Sequence, residues 1–112
     1  MNAQDSHDNP QVGQAWDAVD AAGIRLASTS MRSMFEAEPD RFHSLSLDTP
    51  HLFLDYSKNR IDAAALAALL DLARAAGLEG RRDAMYAGQR INSTEDRSVL
   101  HVALRKARGD SL

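Results

Sequence analysis

The sequence predicts a mostly helical α+β chain that contains one β-hairpin. Residues 44–47 alternate serine with leucine, which is the period-2 pattern of a half-buried strand, and a second short apolar run follows at residues 52–54. Elsewhere the apolar residues recur at helical spacing. The clearest helical stripe consists of Leu66, Leu69, Leu70 and Ala73. A lone hairpin is only marginally stable in water, so we expect it to pack on helices or to join a larger sheet.

The composition is that of one small soluble domain. The chain has 112 residues, of which 44% are hydrophobic and 26% are charged. A formal net charge of −3 gives no overall attraction to nucleic acid or to anionic lipid. The chain has no cysteine, which excludes disulfides, thiolate metal sites and a cysteine nucleophile.

The first ten residues are polar and acidic, and we expect residues 1–10 to form a flexible tail. They lack the basic start and the apolar run of a secretory signal. No apolar stretch approaches the roughly 20 residues that span a bilayer. We therefore expect a cytoplasmic protein without a membrane partner.

The first half of the chain predicts two helices. A sparse apolar pattern predicts the first helix over residues 11–26, and Gly23 interrupts this pattern as a candidate end of the helix. Residues 28–30 are a turn with N-cap chemistry, and they precede a short helix at residues 31–37. Pro39 disfavours helical geometry at the residue before it, so the second helix should stop there.

The middle of the chain predicts one further turn, the hairpin and the clearest helix. Residues 40–42 are expected to form a single turn, and residues 48–50 are expected to join the two strands. Asp62 is a plausible N-cap for the helix that carries the leucine stripe. Gly77 follows that helix in the position of a C-terminal cap.

The last third predicts a shorter helix over residues 78–87 that Gly88 closes. Asn92 and Glu95 have the spacing of a capping box. Periodicity alone cannot separate helix from strand over residues 99–104, but the upstream caps favour helix.

Three stretches carry a resemblance to the glucose-6-phosphate isomerase family. The first is Leu54-Asp55-Tyr56-Ser57-Lys58-Asn59. The second is Arg82, Met85, Gly88, Ile91-Asn92, Thr94-Glu95, Arg97, Val99-Leu100-His101 and Ala103-Leu104-Arg105. A looser third is Met31-Arg32-Ser33-Met34-Phe35 followed by Pro39-Asp40-Arg41-Phe42. The blocks resemble the family pattern in order and in spacing.

The resemblance implies a much longer protein, of which residues 11–112 form the N-terminal, incomplete part of the large subdomain. It implies two α/β subdomains with mostly parallel sheets flanked by helices, and a homodimer that completes an active site between subdomains. The implied reaction interconverts glucose 6-phosphate and fructose 6-phosphate through an enediolate, without a cofactor. The family's sugar-phosphate loop and its catalytic Glu, His, Arg and Lys lie in later parts of the family sequence.

The resemblance therefore assigns no catalytic, cofactor-binding or metal-binding residue to this chain. We expect a scaffold that is inactive alone and whose partner is the remainder of the isomerase. The alternative is a freestanding helical module, derived from that enzyme, that binds a protein through exposed apolar surface.

Several polar residues also allow sharper interpretations. His101 could be a base or a metal ligand, but a structural histidine at a packing interface is favoured. His43 and His51 flank the hairpin and would need further ligands to hold zinc. Asp55 and Lys58 could form a catalytic pair, although an aspartate at a strand end more often caps the following turn.

The stretch from Glu79 to Arg108 is biased towards basic residues. It could bind nucleic acid, but it holds one aromatic residue and no recognisable motif, so a solvated face or a surface that pairs with the rest of the enzyme is favoured. Within it, Glu95 is expected to act as a cap rather than as a general base. Arg97 is expected to form an ion pair rather than to bind phosphate.

Overall fold

The computed structural model describes residues 9–110. Within them five α-helices and one antiparallel hairpin follow one another, with a 3-10 helix near the end. The elements are α1 (Pro10–Ala27), α2 (Met31–Ala37), α3 (Arg41–Ser44), β1 (Ser46–Asp48), β2 (Phe53–Asp55), α4 (Ala63–Ala75), α5 (Leu78–Tyr86) and the 3-10 helix His101–Arg105. The mostly helical class with one hairpin is confirmed. The predicted tail lies outside the described residues except for its last two, and Pro10 already belongs to α1.

The chain divides into two compact units. One unit consists of residues 17–69, and the other combines the start of the chain with residues 70–112, of which 9–16 and 70–110 are described. The boundaries fall inside α1 and inside α4. Each unit is considered by itself below.

The core of the unit formed by residues 17–69 is small. Leu26, Met34 and Ala65 are buried together, with Ala22, Met31 and Ile61 packed against them. In α4 the buried residue is therefore Ala65, just before the predicted leucine stripe. Leu69 and Leu70 remain 42% and 47% exposed, so the described residues cover only part of the stripe.

The first helix agrees with its predicted span within one residue at each end, but Gly23, the candidate end, does not interrupt it. The helix continues to Ala27, and Leu26 in this last turn is buried. A glycine inside a helix costs only about 1 kcal/mol relative to alanine, and burial of a leucine contributes more than that.

The second helix agrees with its prediction at both ends. The backbone N–H of Ser33 donates to the side-chain oxygen of Ser30, the N-cap, at 3.1 Å. The helix stops at Ala37, two residues before Pro39, and the predicted single turn appears as α3.

The hairpin pairs Ser46 with Asp55, Leu47 with Leu54, and Asp48 with Phe53. The strand prediction is confirmed, but the half-burial expected of β1 is not realised within this chain. Leu47 is 53% exposed and Leu54 is 46% exposed, because the described residues cover the leucine face only in part.

The ends of α4 and α5 follow the predicted capping chemistry. The backbone N–H of Ala65 donates to the carboxylate of Asp62 at 2.8 Å, which caps α4. Gly77 and Gly88 adopt φ angles of 73° and 71°, in the left-handed region that favours glycine, and they close α4 and α5.

The segment after α5 differs from its prediction. The N–H and C=O groups of Asn92 pair with those of Arg97, so the proposed capping box is a closed turn rather than the start of an α-helix. Residues 101–105 then form a 3-10 helix. The capping-box spacing favoured an α-helix after residue 95, but the turn closes on Arg97 instead.

Candidate functional site

A buried arginine organises the first family-like stretch. Arg41, at the start of α3, is 1% exposed. Its Nε donates to the carbonyl oxygen of Ser57 at 2.8 Å, and its Nη2 donates to the carbonyl oxygens of Asn59 and Ile61 at 2.8 and 2.7 Å. Its Nη1 donates to the carboxylate of Glu38 at 3.0 Å. One guanidinium thus fixes three backbone carbonyls of a single loop.

Burial of this charge is feasible because all three guanidinium nitrogens donate hydrogen bonds, four in total. An unpaired buried charge is very costly, whereas one that is paired and hydrogen-bonded is tolerated. Glu38 supplies the opposite charge, and the ring of Phe35 lies 5.5 Å from the guanidinium carbon in a cation–π contact. No donor of this side chain points to a surface where it would meet a substrate.

Asp55 shapes the same loop from its first residue. Its carboxylate accepts the hydroxyl of Ser57 at 2.6 Å and the backbone N–H of Ser57 at 2.9 Å. These hydrogen bonds, the hydroxyl's first, lower the pKa of Asp55 below its ordinary value, and the charge of Lys58 has a smaller effect. The prediction that Asp55 caps a turn is confirmed. Its carboxylate already accepts two hydrogen bonds from Ser57, which argues against a catalytic pair with Lys58.

Two further arginines tie the ends of helices to this loop. Arg60 donates to the carbonyl oxygen of Thr29 at 2.7 Å and makes longer contacts of 3.4 Å to two carbonyls at the end of α1. Arg25 forms a two-pronged ion pair with Asp62, with N···O distances of 2.6 and 3.0 Å. The hydrogen bonds from Arg25 are the largest cause that moves the pKa of Asp62 from 3.8 to about 2; the N–H of Ala65 at the α4 cap adds to this shift, and burial opposes it.

Three arginines therefore hold residues 55–62, and sequence reasoning assigned none of them this role. Arg41 lies in the third family-like stretch, which was the only signal that marked it. Arg25 and Arg60 carried no signal, because their partners lie 31 or more residues away in sequence.

The second family-like stretch, in the other unit, is a compact turn. The N–H of Glu95 donates to the side-chain oxygen of Asn92 at 3.3 Å, and the hydroxyl of Ser98 donates to the carbonyl oxygen of Gly88 at 2.8 Å. Arg97 lies 3.6 Å from Glu95, which confirms the predicted ion pair. The role of Glu95 in turn formation rather than in base catalysis is consistent with these contacts.

The histidines do not converge on a common site. His43 faces Asp40 at 3.4 Å, while His51 and His101 are exposed. Among residues 9–110 no three His, Asp or Glu side chains gather as ligands for a metal ion. The packing interface expected for His101 stays a prediction, since this side chain is exposed in the chain as described.

Three arginines of the basic stretch, Arg82, Arg90 and Arg97, form ion pairs. Arg82 contacts Asp83 at 2.9 Å, and this neighbour raises the pKa of Arg82. Arg90 contacts Asp96 at 2.8 Å. These pairs are exposed, so they contribute little to stability, but they reduce the positive charge that nucleic acid would meet.

Comparison with known proteins shows the family to which this chain belongs. The family model described as phosphoglucose isomerase matches residues 55–112, which begin at Asp55 and include both compact family-like stretches. The chain belongs to the phosphoglucose isomerase family. The matched residues include the loop at residues 55–61 and the turn at residues 92–97.

Individual members of the phosphoglucose isomerase family match over most of the chain. Glucose-6-phosphate isomerase of Mycobacterium avium is 48% identical over 98 residues, which are 88% of this chain and 18% of that protein. Glucose-6-phosphate isomerase 4 of Rhodococcus jostii is 45% identical over 105 residues, which are 94% of this chain and 18% of that protein. The relative from Rhodococcus opacus is 46% identical over 91 residues, or 81% and 16%.

The chain thus spans less than a fifth of the length of the phosphoglucose isomerase relatives that it matches. In the part of the chain that the structure describes, no helix combines the length and the apolar character needed to cross a bilayer.

Proposed function

We propose that this chain is the amino-terminal portion of a glucose-6-phosphate isomerase that interconverts glucose 6-phosphate and fructose 6-phosphate. The proposal is supported by membership of the phosphoglucose isomerase family and by relatives of 45–48% identity that carry this name. The reaction of the intact enzyme would proceed through an enediolate intermediate and would need no cofactor. We also propose that residues 11–112 are an incomplete part of the large subdomain. The intact enzyme would have mostly parallel sheets, would form a homodimer and would be cytoplasmic, as the family resemblance implies.

Within that enzyme we assign the chain a scaffold role. Isomerisation needs a base near the carbon acid, a group that opens the sugar ring and a cation near the developing oxyanion. The observation that carries this assignment is the capture of the family loop by Arg41: its guanidinium is buried and donates to Ser57, Asn59 and Ile61. A cation committed to three carbonyls of its own chain is a positioning group, and it is not available to an enediolate.

The scaffold role predicts that the chain alone has no measurable isomerase turnover. The test is a coupled assay with fructose 6-phosphate on a preparation made in a host that lacks its own isomerase. Turnover well above the blank would contradict the assignment of catalytic groups to other parts of the enzyme.

The enzyme assignment itself is tested by replacement. This chain should substitute for the segment that it matches in the Mycobacterium avium relative, and the resulting chimera should interconvert the two hexose phosphates. A matched control carries Arg41→Ala in the inserted segment and should lose soluble protein. A soluble chimera with the buried core intact but without turnover would count against the proposed function.

The freestanding interaction module remains the second candidate. The observation that favours it is the apolar surface that the described residues leave open, for example Leu69 and Leu70. The chimera separates the two candidates, because a module that had diverged to bind another protein would not restore an active isomerase.

A further inference from the structure

The hairpin exposes apolar side chains on both of its faces. Leu47 and Leu54 are directly paired across the strands and so share one face. Phe53 projects from the opposite face, where its ring lies 6.0 Å from that of Phe42. All four side chains are between 43% and 53% exposed.

The two faces differ in charge. Ser46 pairs with Asp55 at one end of the ladder, and Asp48 pairs with Phe53 at the other. Because side chains alternate between faces along a strand, Asp48 and Asp55 lie on the same face as Phe53. The middle pair, Leu47 with Leu54, is the whole of the other face, and it carries no charge. A charge-free leucine pair with about half of its surface open is suited to an apolar partner rather than to water.

We propose that the Leu47–Leu54 face is a docking surface for the part of the isomerase that lies outside these 112 residues. This inference rests on the proposed function. The occupant follows from length and position: the chain spans 18% of its relatives, and β2 ends at Asp55, where the match to the family model begins. The face is therefore continuous with the loop that Arg41 holds, and the proposed enzyme has most of its length outside this chain to cover it.

The surface of the remaining enzyme that meets this face should be apolar. Docking would bury the open halves of Leu47 and Leu54 and would give the two-stranded hairpin the support that it needs for stability. The opposite face, with two carboxylates beside Phe53, would tolerate solvent at its rim.

The test compares two lysine substitutions in the chimera described above. Leu54→Lys places a charge on the docking face, and Asp48→Lys places the same side chain on the opposite face of the same hairpin. At a fixed elevated temperature, we expect Leu54→Lys to shorten the half-life of native soluble chimera about tenfold or more. Asp48→Lys should leave it within about twofold. Equal half-lives for both variants and the parent would overturn the docking surface.

A second measurement separates docking from packing inside the chain. In the isolated 112-residue chain, Leu54→Lys should leave the helical circular dichroism and the urea midpoint unchanged, because that side chain is half exposed there. Unfolding of the isolated chain by Leu54→Lys would overturn the proposal, as would a concentration-dependent dimer of the isolated chain that this substitution dissolves, since a second copy would then be the occupant.

The outcomes for the two proposals are distinguishable. A folded but inactive parent chimera that still shows the Leu54→Lys effect would contradict the proposed function and would leave the docking surface supported. An active chimera whose half-life is unchanged by Leu54→Lys would contradict the docking surface and would leave the proposed function supported. A chimera that cannot fold would contradict the docking surface, because the inserted face and the host surface would not fit.

Discussion

The guanidinium of Arg41 and the carbonyl oxygen of Ser57 meet at 2.8 Å, although the residues are 16 positions apart. Both are almost completely buried, at 1% and 2% exposed. This bond joins the start of α3 to the loop that opens the family pattern. Through this bond the short helix α3 holds the loop that leads into α4.

Replacement of Arg41 by alanine should destabilise the chain severely. The substitution leaves the carbonyls of Ser57, Asn59 and Ile61 without their donor, and we expect a loss of about 3 kcal/mol or more in the free energy of unfolding. Arg41→Lys should recover only part of this loss, because an ammonium group cannot reproduce the planar fork. Urea unfolding followed by circular dichroism measures both.

Arg74→Ala is the matched control for that experiment. Arg74 pairs with Asp71 on the exposed face of α4, so its loss should cost no more than about 0.5 kcal/mol. If Arg41→Ala and Arg74→Ala gave similar urea midpoints, the clamp would not stabilise the fold.

Asp62 combines two roles that substitution can separate. Asp62→Asn keeps an oxygen for the N–H of Ala65 but removes the ion pair with Arg25, and we expect a loss below about 1 kcal/mol. Asp62→Ala also removes the cap and should cost about 1 kcal/mol more. Thermal unfolding of the two variants gives the order, and an equal loss for both would mean that the cap contributes nothing.

The same residue should make stability depend on acid. Its pKa is lowered from 3.8 to about 2 in the folded chain, so the folded state favours the charged carboxylate. This contribution is complete above about pH 4 and should disappear as the pH falls towards 2. Carboxyl chemical shifts report the pKa of Asp62 directly. A loss of stability in this range that was just as large in Asp62→Asn would assign the effect to other carboxylates.

Two glycines should respond to alanine in opposite directions. Gly77 has a φ of 73°, and Gly77→Ala should cost about 1–2 kcal/mol because the left-handed conformation opposes a Cβ. Gly23 lies inside α1 with open space around its Cβ position, so Gly23→Ala should stabilise the chain by about 0.5–1 kcal/mol. Thermal midpoints of the two variants test the pair. Stabilisation by Gly77→Ala would contradict the capping role.

The sequence was informative wherever a structure depends on near neighbours. Ser30, Asp62 and Gly77 were identified as caps because their partners lie within a few residues, and the structure confirms them. Gly23 was misjudged, since the balance between a glycine's cost and the burial of Leu26 depends on tertiary contacts.

The site was less predictable than the fold. Nothing local to Arg41 indicates that its donors meet carbonyls 16 to 20 residues later, and the charge of an arginine ordinarily predicts exposure. The turn between Asn92 and Arg97 was missed for a related reason. The capping-box spacing predicts a first hydrogen bond that a turn and a helix share. The backbone pairing of Asn92 with Arg97 makes this segment a turn.

The arginine contacts also bear on when this part of the protein can take shape during synthesis. Arg25, Arg41 and Arg60 find all the partners described here between Leu26 and Asp62, inside one unit that ends at Leu69. A nascent chain of this sequence therefore holds every group of that network once residue 69 has left the ribosome. The loop at residues 55–61 can therefore be set before any residue beyond position 69 is translated.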